Sequence, residues 1–181
     1  MSQDIWHTRL PLKIQIFLWY FKRGVLLTKD NLSRRNWRGD KNCVFCSNTE
    51  TIHHLFFDCP YAKFLWRMCH IALGIDPPLG TSNLFGTWSQ NGGQGNLLLF
   101  GAAGFCWALW LSRNDVIFKK TRPKSFLQVL FKGTHWLRLW AKLQRSEERT
   151  QMIVEGCRRI ETVALHVFAS FGWPYTARIS F

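Results

Sequence analysis

Three cysteines and two histidines fall within the seventeen residues Cys43–Cys59, CVFCSNTETIHHLFFDC, and no other stretch of the chain has comparable ligand density. Thiolate and imidazole together are the donor set of a closed, tetrahedral zinc site. With His54 as third ligand the order is Cys-x2-Cys-x7-His-x4-Cys; with His53 it is x6 and x5. Cysteines two residues apart can turn both sulfurs toward one point, because Val44 and Phe45 make a tight turn whose amides face the thiolates. The other half of the tetrahedron must come from a short helical segment, with Thr49 and Thr51 as candidate N-caps. Adjacent helical residues point about 100° apart, so one histidine faces the ion while the other turns to solvent or to Glu50 and Asp58. Spacing leaves that choice open.

Other chemistry is missing from the sequence. It has no Asp–Asp pair of the kind that holds two metals for phosphoryl transfer, no glycine-rich phosphate loop and no Gly-x-Ser-x-Gly elbow. The remaining cysteines, Cys69, Cys106 and Cys157, are scattered in apolar helical surroundings, where a reduced thiol packs as a small hydrophobe. They make a disulfide scaffold an unsuitable reading, and a reducing, intracellular compartment the expected one.

Positioning four ligands takes a folded scaffold, and the composition supplies one. The 181 residues are 47% hydrophobic and 15% aromatic, enough for one ordinary domain or two small ones. The expected class is mostly α: a small Cys3His zinc-stabilised helical module (1–73), a linker (74–95), and an antiparallel bundle of about three helices (96–181).

Pro11 opens an amphipathic helix to about Leu27, followed by a short helix from Lys29 to about Asn36 with Thr28 as its cap. Pro60 starts a third, with Phe64, Leu65, Met68, Ile71 and Ala72 inward. Turn chemistry dominates 74–95, including Pro77-Pro78 and Asn91-Gly92-Gly93. The fifteen uncharged residues Leu97–Leu111 fall short of the roughly 20 needed to span a membrane, so 96–118 reads as a buried helix. Ser125 and Ser146 then cap two further amphipathic helices, the first to about Gln144 and the last to Gly172, with Pro174 as its stop. The inward stripe of the last begins at Met152 and Ile153. No secretory signal is visible, since Lys13 and Gln15 interrupt the first apolar run.

The run Ile5–Trp66, with IW, PLKIQIFLWYFKRGVLLTKDNLSRRNW, C-x2-C, E-x3-HLF-x2-C and P-x-AK-x2-W, resembles the zinc-binding domain that follows the polymerase in plant-type non-LTR retrotransposon reverse transcriptases. The later WALWLSRNDVIF resembles the region after that domain. The resemblance implies Cys43, Cys46, His54 and Cys59 as ligands of one structural Zn2+, and so chooses His54 over His53. It further implies that polymerase and nuclease parts belong upstream, and that this chain is a carboxy-terminal fragment with no catalytic role of its own.

A net charge of +13 points to a polyanionic partner, most often nucleic acid. The charge is concentrated at the ends: residues 71–118 carry one basic and two acidic side chains. Lys29, Arg34, Arg35, Arg38 and Lys41 form a basic rim beside the first cysteine, and Trp37 among them is a candidate stacking platform for RNA or single-stranded DNA. The competing expectation is a structural or protein-interaction module that docks on an acidic partner or on the polymerase. Neither expectation calls for a small-molecule substrate or a membrane.

Overall fold

The protein is described as a computed structural model over residues 3–88 and 95–171. The turn at Asn91-Gly92-Gly93 and the stop at Gly172 and Pro174 lie outside these residues. Among those described there is no β-strand; Asn42 and Thr49 form an isolated antiparallel bridge. The helices are α1 (Gln3–His7), α2 (Leu12–Lys22), α3 (Lys29–Ser33), α4 (Pro60–Leu73), α5 (Thr81–Asn83), α6 (Gly95–Lys119), α7 (Phe126–Ala141) and α8 (Glu147–Phe171), with π-helical turns at His54–Asp58 and Leu84–Trp88.

Apolar spacing makes α2 a buried helix: Ile14, Phe17, Leu18 and Phe21 recur at intervals of three and four and all face inward. It ends at Lys22, five residues before the expected Leu27. Gly24 takes φ 70°, and the amides of Gly24 and Val25 donate back to Phe21 O (3.0 Å) and Tyr20 O (3.1 Å), the paired bonds of a left-handed C-terminal cap. Asn36, at φ 65°, closes α3 in the same way, with Trp37 N donating to Leu32 O at 3.1 Å. Thr28 does not cap α3 with its side chain. Its hydroxyl is turned to Asp30 Oδ1 (2.5 Å), while Asn31 secures the preceding loop by donating to Gly24 O and Leu26 O, both at 2.8 Å.

The π-helical turn at His54–Asp58 runs straight into α4, which starts on Pro60 and stops on Gly74 at φ 69°. Phe64, Leu65, Met68 and Ala72 of its expected stripe are buried, whereas Ile71 is half exposed. Ser125 Oγ accepts from Gln128 N and Ser146 Oγ from Arg149 N, both at 3.3 Å, so both expected serine caps form. On α8 the inward residues are Ile153, Cys157, Ile160 and Ala164; Met152 turns outward.

The long helices pack in sequence, α6 on α7 and α7 on α8, and α4 closes against α8. Two glycines set the α6–α7 distance: a Cβ on Gly104 would lie 2.5 Å from Leu137 Cγ, and one on Gly133 2.6 Å from Phe105 Cδ1. Aromatic rings carry the core from this bundle into the amino-terminal helices. Phe17 meets Trp107 of α6 with centroids 5.1 Å apart, and Phe21 meets Phe56 of the π turn at 4.3 Å. Buried residues of 1–73 and of 96–181 thus share one apolar core, to which Leu84 and Phe85 of the intervening stretch belong. Among the described residues no helix is long and apolar enough to cross a membrane.

Candidate metal centre

The geometry that brings the ligands together begins at Thr51. Its hydroxyl accepts from His54 N at 2.9 Å and caps the segment that starts at Ile52, so of the two candidate caps Thr51 performs the role. The segment then widens. Cys59 N donates to His54 O at 2.7 Å, five residues back, where an α-turn would reach four. At α-helical pitch two residues five apart point about 140° away from one another. The wider turn closes much of that angle and sets His54 and Cys59 on one side.

The other two ligands come from the loop held by the Asn42–Thr49 bridge, in which Cys43 N donates to Asn48 O at 2.7 Å. Phe45 N points at Cys43 Sγ (3.5 Å), as the amide of a tight Cys-x2-Cys turn should. The donor atoms of Cys43, Cys46, His54 and Cys59 all lie within 4.8 Å of one another. Cys43 Sγ is 4.0 Å from Cys59 Sγ, and Cys46 Sγ is 3.1 Å from His54 Nε2.

These distances bracket those of a bound zinc. Four N and S donors placed 2.0–2.3 Å from a common centre at tetrahedral angles stand roughly 3.5–3.8 Å from each other. A sulfur pair 4.0 Å apart is too far for a disulfide, and all six cysteines are free. His53 points away: its Nε2 is 3.2 Å from Asp58 Oδ2, and its ring packs on Phe57. Zinc bound by four protein ligands leaves no open position and serves as a structural cross-link, supplying on the order of 10 kcal/mol to a small module.

The electrostatics suit a cation. The close contact with Cys59 is the main cause that holds the Cys43 thiol well below its ordinary range, helped by His54 and by the amides of Phe45 and Cys46 against the cost of burial. The same contact, with burial, pushes Cys59 far up. Two close, buried sulfurs resist being charged together, and a divalent cation between them removes that penalty. The cysteines away from the site are inert by comparison, burial raising Cys69 and Cys157 to about 12 each.

Behind the ligands lies a buried ion pair that spacing rules do not find. Glu50 is fully buried, and its Oε1 accepts from Arg113 Nη2 (2.7 Å), Arg113 Nε (3.1 Å) and Lys29 N (3.0 Å). Arg113 also donates to Leu27 O at 3.1 Å and to Asn114 Oδ1 at 3.0 Å, and lies 5.0 Å from the Trp110 ring. The one sequence signal for this pair is a lone cation at the end of an uncharged run, where it must be neutralised if the helix is buried.

The expected basic rim divides in two. Lys29 is buried, its ammonium donating to Asp40 Oδ2 (3.0 Å) and Asn42 O (2.5 Å), so it braces the loop before Cys43 instead of facing solvent. Burial is the physical reason: a lysine at the base of α3 must find acceptors inside the fold. Arg34 is exposed and leans on Asp30 at 3.6 Å. Arg35, Arg38 and Lys41 are exposed, and among the described residues none has a carboxylate within ion-pair distance. Trp37 is 39% exposed and lies across Gly39, where a Cβ would fall 1.9 Å from its ring.

Geometry and ligand set define a zinc-binding module of the Cys3His type, mounted on a helical scaffold. Residues 1–66 match the family zf-RVT, zinc-binding in reverse transcriptase, and this amino-terminal third is similar to that family over the whole metal site. That domain is a zinc-binding one and not a catalytic one. WALWLSRNDVIF falls outside the matched residues. Comparisons with curated proteins and with solved structures give no match.

Proposed function

We propose that the module binds single-stranded nucleic acid, RNA or DNA, beside a zinc ion that holds its shape, as an accessory part of a retrotransposon-type reverse transcriptase. The observation that carries this reading is the exposed segment between α3 and Cys43. It presents three cations, Arg35, Arg38 and Lys41, with no carboxylate in ion-pair distance among the described residues, around a half-exposed Trp37. Cations of this kind contact phosphates while an aromatic face accepts an unpaired base. Lys29 supports the surface from beneath. A zinc–thiolate centre of this kind suits a reducing, intracellular compartment.

Binding of oligouridylate and oligothymidylate to the zinc-loaded chain, followed across a salt series, tests the reading. The expected result is affinity that falls with salt and is lost in the triple variant Arg35→Glu, Arg38→Glu, Lys41→Glu. No affinity at low salt, or affinity without a salt slope, overturns it.

A second reading has its own support. Leu12, Ile16 and Tyr20 recur every four residues on α2 and are 64%, 39% and 44% exposed, an apolar stripe suited to docking on a protein such as the polymerase. Under that reading the arginine reversal leaves nucleic-acid binding unchanged, and polar substitution of the stripe abolishes association.

A further inference from the structure

The corner between α6 and α7 carries a second basic, aromatic-bearing surface, and both of its ends are fixed to the zinc loop. At its start Arg113 is hydrogen-bonded to Glu50, whose own N–H donates to Lys41 O at 2.9 Å. At its end Phe126 packs on Tyr61 with ring centroids 4.5 Å apart, and Tyr61 packs on Phe45, between the two cysteines of the loop, at 4.6 Å. Phe118 lies five residues beyond Arg113, about 8 Å along the helix. The segment 114–125 is therefore tied at both ends to the zinc loop, and through Glu50 to Lys41 of the rim.

From Phe118 to Lys124 every residue except Pro123 is exposed. Phe118 is 76% exposed, among the most exposed large hydrophobic side chains described, and is followed by Lys119, Lys120, Arg122 and Lys124. The carboxylate of Asp115 is already shared between Lys119 (2.8 Å) and Lys132 (2.9 Å). Lys120, Arg122 and Lys124 have no carboxylate in ion-pair distance among the described residues. A large aromatic side chain in water costs free energy unless something covers it, and three uncompensated cations beside it select an anionic partner with flat, apolar faces. Unpaired bases on a phosphate backbone have that chemistry; a duplex hides its base faces, and an acidic peptide lacks them.

We infer that Phe118, Lys120, Arg122 and Lys124 form a second contact for single-stranded nucleic acid, so that a strand lying on the zinc-side rim continues onto the α6–α7 corner. The cations neutralise phosphates and Phe118 stacks on a base. This rests on the reading that the rim binds nucleic acid, and extends the surface beyond the residues that match the zinc-binding family.

The test uses the full zinc-loaded chain and labelled oligouridylate, with oligothymidylate, a duplex of equal length and polyglutamate as comparison ligands. Lys120→Gln, Arg122→Gln, Lys124→Gln together lower the slope of log affinity against log salt by about 2, at roughly 0.7 per phosphate contact. Phe118→Ala weakens oligouridylate binding roughly 5- to 100-fold with the salt slope unchanged, and Phe118→Trp restores it. Zinc content and helical circular dichroism stay at wild-type values in all of them, since every altered side chain is exposed. If the corner variants bind as wild type while the rim variant does not, the inference falls and the rim reading stands. If the wild-type chain binds neither oligonucleotide, both fall. Equal binding of duplex or polyglutamate, or no effect of Phe118→Ala, shows a surface that attracts any polyanion, and also overturns the inference.

Discussion

Arg113 and Glu50 stand 63 residues apart in sequence and 2.7 Å apart in space, both buried, and their bond joins α6 of the bundle to the base of the zinc loop. A charge pair out of water is costly to assemble, and far costlier to break by removing one partner. Arg113→Ala leaves Glu50 uncompensated and also removes a donor from Leu27 O, so it should destabilise the protein by about 3–5 kcal/mol. Replacing both residues by methionine should recover most of that loss. Urea unfolding of the single and double variants measures the difference, and equal destabilisation by single and double variants would refute the pairing.

The two histidines separate cleanly. His54 carries its Nε2 toward Cys46 Sγ, while His53 turns to Asp58 at the surface. His53→Ala is therefore expected to keep one zinc per chain and to change stability by less than about 1 kcal/mol, the range of an exposed side-chain contact. His54→Ala is expected to lose stoichiometric metal. Inductively coupled plasma analysis of the two purified variants decides it.

Acid sensitivity has a specific source in the bundle. Burial raises the pKa of Glu161, but the bidentate bond from Arg138 (2.6 Å at Oε2) and the Thr134 hydroxyl outweigh it, and the carboxyl titrates below its ordinary value of 4.5. A lowered folded-state pKa gives stability that is present above the ordinary value and is lost as pH falls through the native one. Glu161→Gln should therefore melt lower than wild type near neutral pH, and the two melting curves should converge at acid pH. Zinc release by thiolate protonation is common to both proteins, so it cancels in the comparison. A gap independent of pH would count against the assignment.

Gly104 and Gly133 let α6 and α7 approach. Alanine at either position places a methyl within 2.6 Å of Leu137 or Phe105, so the helices must separate or the side chains leave their rotamers. Overpacking of this kind costs about 1–3 kcal/mol. Thermal unfolding of Gly104→Ala and Gly133→Ala measures it, and the metal site, which lies on other elements, should keep its zinc.

Much of the metal centre was legible in the sequence, because ligand spacing is a local property and the chemistry of a closed zinc site fixes it tightly. Cys43, Cys46 and Cys59 follow from it directly. The histidine did not, since the choice depends on the turn widening to a five-residue bond at Cys59, and nothing in the spacing of His53 and His54 encodes that. Helix positions followed from apolar periodicity, and the serine caps of α7 and α8 from residue type. The expected end of α2 at about Leu27 is too late because Gly24, at φ 70°, stops the helix. Lys29 was misassigned to the surface because its acceptors, Asp40 and Asn42 O, come from a loop eleven and thirteen residues on. The Arg113–Glu50 pair was beyond reach for the same reason: it is a tertiary contact, and local pattern carries no partner for a buried charge.

Native mass spectrometry of the chain, with Cys46→Ser alongside, bears most directly on the metal centre. One zinc ion per wild-type chain, none in the variant, and lost helical content in the variant or on chelation of the wild type, is the result this structure predicts. A wild-type chain that is fully folded without metal, or a Cys46→Ser chain that keeps its zinc, would contradict it.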